Sequence, residues 1–109
     1  MADLLGGFEQ AVLVAILRLG TNAYGRTILR QVQESLRRNV SAGAVYTTLD
    51  RLEKRGLLRS RLAEGAPVRG GRPRRHYSIS AEGMRALNDA RNTLMEMWRT
   101  IQWPVKVPR

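Results

Sequence analysis

The chain has no cysteine and a single histidine, His76. Disulfides, thiolate chemistry and zinc sites built on cysteine are therefore excluded, and the lack of cysteine agrees with a cytoplasmic protein. Acidic residues are equally sparse: nine Asp and Glu stand singly along the chain against nineteen Lys and Arg. No carboxylate pair is present to share a proton or hold a metal, and His76 lies between Arg75 and Tyr77 with no acidic neighbour. Nothing in this pattern supports an enzyme, and no cofactor is implied. Long apolar runs are missing too. The longest, Ala11 to Leu17, has seven residues, whereas a membrane span needs about 20. The first residues lack the basic and apolar segments of a secretory signal.

What is present is positive charge. A formal net charge of +10 on 109 residues points to an anionic partner, nucleic acid first and an acidic membrane surface second. The length suits one domain with a modest core, possible completion by a second subunit included.

Phe8, Ala11, Val12, Ala15, Ile16 and Leu19 follow the spacing of one helix face, and Leu13, Val14 and Leu17 make the other side apolar as well. Such a helix belongs at the centre of a core or against a second subunit. Gly20 ends it, and Thr21-Asn22 offers a turn and an N-cap. A second helix is expected over about 23–38, with Ile28, Leu29, Val32 and Leu36 inward and Arg26, Arg30, Gln33, Arg37 and Arg38 outward. Ser41 then caps a third helix over about 42–55, stopped by Gly56. Residues 57–63 and 75–79 alternate as two short strands around a turn-rich loop, giving a β-hairpin. Ser80 caps a last helix expected to reach about Ile101. Along it Leu87, Ala90, Leu94, Met97 and Ile101 recur every three and four residues, a heptad seam suited to self-association together with Leu13 and Leu17 of the first helix and Trp98 beside the seam.

With Val45, Leu49 and Leu52 buried, the third helix turns Gly43, Thr47, Asp50, Arg51 and Lys54 outward, flanked by Ala44 and Tyr46. Small residues at the helix start permit close approach to a major groove, and Thr47 and Arg51 can reach base edges. The stretch RGGRPRRHY at 69–77 places Arg69, Arg72, Arg74 and Arg75 at the hairpin, where Arg72 suits a groove contact. Three helices followed by a basic hairpin describe a helix-turn-helix with a wing. A basic face is by itself often only a solvated face, and a winged-helix module that binds protein rather than a specific DNA target is the competing reading.

"AYGRTI" at 23–28, "VSAGAVYTTLDRLEKRGLL" at 40–58, "GGRPRRHYSIS" at 70–80 and "AEG" at 81–83 together resemble the PadR family of bacterial transcriptional regulators, over about residues 4–95. The resemblance implies a dimeric repressor on a partly palindromic operator, with Tyr46, Thr47 and Thr48 and the basic wing residues as DNA contacts. It departs from the family at Arg26, where an aromatic residue is frequent, and in lacking the longer C-terminal domain of larger members. The whole reading is a mainly α fold with a small β-hairpin. A winged helix-turn-helix occupies 1–79, a C-terminal dimerisation helix 80–103, and an extended tail 104–109. DNA-contacting candidates are Arg26, Ser41, Gly43, Ala44, Tyr46, Thr47, Thr48, Arg51, Lys54 and the four wing arginines. Met84, Met95, Met97, Trp98 and Trp103 suit a small apolar or aromatic effector at the dimer interface, and suit plain packing of that seam better.

Overall fold

A computed structural model describes residues 4–63 and 74–109. The first helix, α1 (Gly7–Leu19), starts where the Glu9 carboxylate accepts a hydrogen bond from the Gly6 amide at 2.9 Å; its second oxygen meets Arg55 at 3.1 Å. One side chain thus caps α1 and ties it to the end of the third helix. Val12, Leu13, Ala15 and Ile16 are buried within the subunit. Gly20, at φ +55°, breaks the helix and opens a 3-10 turn over Gly20–Asn22. The helix that follows, α2, is Gly25–Leu36, shorter at both ends than the periodicity suggests. Its cap is Tyr24 rather than Thr21 or Asn22, and the Tyr24 amide donates to Thr27 Oγ1 at 3.1 Å. Tyr24 stays extended because it pairs with the hairpin: it forms an antiparallel bridge to His76, and the Tyr77 amide donates to the Ala23 carbonyl at 2.8 Å.

The third helix, α3 (Ala42–Lys54), begins as expected at Ser41, whose hydroxyl oxygen accepts from the Ala44 amide at 3.0 Å. It buries Val45, Thr48, Leu49 and Leu52 against Ile28 and Val32 of α2 and the inner face of α1. Gly56, at φ +79°, turns the chain into β1 (Leu58–Leu62), which pairs antiparallel with β2 (Arg75–Ile79) from Leu58↔Ile79 to Leu62↔Arg75. The hairpin and the residues around Tyr24 make a short three-part sheet against the helices. Four helices with this hairpin form a winged-helix fold.

The fourth helix, α4 (Ala81–Trp98), leaves the hairpin through a fully used serine. Ser80 Oγ accepts from the Gly83 amide at 3.0 Å and donates to the Gly56 carbonyl at 2.6 Å, while the Ser80 amide donates to the Leu57 carbonyl at 3.1 Å. Gly83 lies so close to that carbonyl that a β-carbon there would collide with the Leu57 oxygen and would stand 2.7 Å from Ile79 Cγ2. Ala90 is buried and Leu87 half-buried on the chain's own core, whereas Leu94, Met95, Met97 and Trp98 are exposed.

The expected seam therefore needs correction. Leu13 and Ala90 are covered inside the subunit and have no surface to offer a partner. Ile101 lies beyond the helix, which stops one turn early at Trp98, and Trp103 folds back edge-on to Trp98 at 5.4 Å between ring centroids. With α4 projecting past the core, the molecule measures 56 × 35 × 20 Å. No helix among the described residues is long and apolar enough to cross a membrane.

Gly83→Ala should destabilise the fold by roughly 2–3 kcal/mol, since the colliding atom is backbone. Ser80→Ala, which removes a cap and strands a carbonyl, should cost about 1–2 kcal/mol. Denaturant unfolding checks both, and a Gly83→Ala protein as stable as wild type would refute the close approach.

Candidate nucleic-acid interface

The outward face of α3 carries Gly43, Ala44, Tyr46, Thr47, Asp50, Arg51 and Lys54, all exposed, with Ser41 exposed at its start. The first turn is small and uncrowded, and the helix dipole directs its positive end there. Thr47 and Arg51, four residues apart, stand one above the other on this face. Lys54 is already engaged, 3.0 Å from Asp50 in an exposed i, i+4 pair. Thr48 is a correction: it is 5% exposed and turned into the core with Val45, Leu49 and Leu52, so it has no access to DNA. A family motif carries Thr48 as readily as Thr47, and only the helical phase separates them.

Tyr46 is 48% exposed, and its ring edge rests on the first turn of α2. A β-carbon at Gly25 would stand 2.5 Å from Tyr46 Cε1 and 2.7 Å from its hydroxyl oxygen. Glycine at position 25 is what lets the phenol reach across the turn, beside exposed Arg26. This contact fixes the approach of α2 to α3 and brings the start of both helices to one surface.

The hairpin stands beside that surface. Arg69 and Arg72 lie outside the described residues. Arg74 sits with its guanidinium 4.3 Å from the centroid of the Tyr24 ring, a cation–π contact, and Tyr24 tilts against His76 at 5.6 Å. His76 Nδ1 lies 3.1 Å from the Thr21 carbonyl, which can only accept, so this nitrogen carries the proton. Arg75 donates to Ser60 Oγ at 3.0 Å, and Ser60 donates to Glu53 of α3 at 2.6 Å. Arg75 thus binds the wing to the recognition helix, leaving Arg74 the more available of the two. Burial first, and the Glu53 carboxylate second, push the Tyr77 phenol above its ordinary value of 10.0, against the opposing pull of Arg75; Tyr46 and Asp50 add smaller pushes. Tyr24 and Gly25 escaped the reading of the sequence as site residues. The signal available was an aromatic residue followed by glycine just ahead of a helix.

The profile of the transcriptional regulator PadR-like family matches residues 12–89 of the chain. Among solved structures, a PadR family transcriptional regulator from Eggerthella lenta is similar at 25% identity, over 83% of this chain and 76% of that one, with a TM-score of 0.64. A PadR family transcription regulator from Clostridium difficile is 29% identical over 87% and 91% of the two chains, TM-score 0.59. A PadR-like transcriptional regulator from Bacillus cereus shares the fold at 22% identity over 85% of each chain, TM-score 0.66. No curated protein matches the sequence.

The raised Tyr77 value has a sign. The folded state holds this proton more tightly than the unfolded one, so its contribution to stability is full below about pH 10 and is lost as pH rises through the folded value. Tyr77→Phe should flatten the fall in melting temperature above pH 10; parallel wild-type and variant curves would contradict the assignment.

Proposed function

The chain belongs to the PadR-like family of transcriptional regulators, and we propose that it works as a homodimeric repressor occupying a partly palindromic operator. The observation that carries this reading is the exposed first half of α3, with Gly43, Ala44 and Thr47 on a capped helix start and Arg51 one turn further on. Gly43 and Ala44 let the helix sink toward base edges, Thr47 and Arg51 read them, and the Ser41 hydroxyl and Arg26 serve the neighbouring phosphates. Arg74, steadied on the Tyr24 ring, is the wing's phosphate contact, with Arg69 and Arg72 further out along the same loop. Binding then blocks transcription by occupancy, and no catalytic step is involved.

Self-association is supported by the apolar surface that the subunit leaves open. Leu94, Met97, Trp98 and Ile101 cluster at the far end of α4, with Met97 65% exposed, and Leu17 on α1 is 53% exposed. Pairing two subunits there sets two copies of α3 side by side, and half-sites about one helical turn apart, roughly 34 Å, are the matching target. A cytoplasmic location follows from a role on chromosomal DNA.

A gel shift on the promoter region of the chain's own gene, followed by footprinting, tests the reading. Affinity for a duplex carrying the operator should fall at least about a thousandfold between about 50 and about 200 mM salt, and a flat response would sink the electrostatic account. Thr47→Ala or Arg51→Ala should cost about 1–3 kcal/mol on the operator and relax its sequence preference, whereas Arg74→Ala should weaken all duplexes alike. The reverse pattern would exchange the roles of helix and wing.

A further inference from the structure

On the side of the hairpin turned away from α3 lies a cleft of about 670 Å³. Strand alternation explains its walls. Ser60 faces α3, where it bonds Glu53, so Arg59 and Arg61 point to the opposite face, across from Ser78 and His76 of β2. The floor is apolar: Ile16 and Leu17 from α1 and Met84 from α4, with Met84 49% exposed. The rim is cationic. Among the described residues no carboxylate lines the cleft, and none lies within ion-pair distance of Arg59 or Arg61. The volume falls in the range of small-molecule sites.

We propose that this cleft binds an amphipathic monoanion, a small molecule with an apolar body and one carboxylate or sulfonate. The body covers Leu17 and Met84, and the anionic group lies between the guanidiniums of Arg59 and Arg61, which stand about 7 Å apart along the strand at the backbone. A cation is repelled by this rim, and a neutral molecule leaves it unused. DNA held by α3 does not reach it, because the cleft opens on the other face of the sheet. The site lies within one subunit and is distinct from the dimer seam at the far end of α4. Its effect on DNA rests on the regulator reading: a bound anion cancels positive charge at the base of the wing and bridges wing to α1, so duplex affinity falls when the cleft is filled.

Two fluorescent probes with the same rings test the site on the full chain: anilinonaphthalene sulfonate, which is anionic, and phenylnaphthylamine, which is neutral. The anionic probe should bind at least about tenfold more tightly, and Arg59→Gln with Arg61→Gln should abolish the difference without changing the neutral probe's affinity. Met84→Glu, which sets a carboxylate on the floor, should expel the anionic probe while leaving the circular dichroism unchanged. A wild-type protein without preference, or a double variant that retains it, overturns the site. In gel shifts the anionic probe should weaken operator binding of the wild type and have no effect on the double variant; operator affinity indifferent to a bound probe overturns the coupling. A protein that binds the probe as expected but no duplex overturns the regulator reading and leaves the cleft standing.

Discussion

The three bonds made by Ser80 hold together parts of the chain that have little else in common. Its hydroxyl closes the end of α3 at the Gly56 carbonyl and opens α4 at the Gly83 amide, while its own amide takes the Leu57 carbonyl at the entry to β1. Recognition helix, wing and projecting helix therefore meet at one residue. The junction works only because Gly83 admits the Leu57 backbone, which lets α4 pass across the base of the hairpin without lifting away from it. A side chain there would separate the part that contacts a ligand or DNA from the part that protrudes.

The same economy governs the presumptive reading surface. α3 is held from below by Val45, Leu49 and Leu52, from one side by Tyr46 on Gly25, and from the other by Glu53 through Ser60 to Arg75. The hairpin is fastened in turn to the α1–α2 turn through Ala23, Tyr24 and His76. A basic surface made of separate elements thus behaves as one body. Its charges are prearranged, so that little ordering cost falls on binding.

Much of this was legible in the sequence, for physical reasons that also mark where legibility ends. Ser41 and Ser80 announce α3 and α4 because capping is a local transaction between a side chain and an amide three residues on. Gly20 and Gly56 mark helix ends because their backbone angles suit few other residues. Val45, Leu49 and Leu52 follow from period alone. By contrast, Tyr24 looks like the start of a helix, and its extended form is imposed by a partner more than fifty positions away, over a bridge too short to show alternation. The inward turn of Thr48 is visible in the helical phase, yet a motif match passes over it. Leu13 and Ala90 fit a seam by spacing, and only the packing reveals that the subunit's own core covers them. The cleft behind the hairpin has no linear signature, since its walls come from α1, both strands and α4.

Both tryptophans, Trp98 and Trp103, lie against each other at the tip of α4. Intrinsic emission from this protein is accordingly a local instrument. It reports on the outer end of the projecting helix and is blind to the hairpin and the recognition helix, whereas the far-ultraviolet dichroism is dominated by the helices of the body. Agreement between the two signals on heating would mean that tip and body melt as a unit, and a separation would measure how independent the protruding end is of the rest.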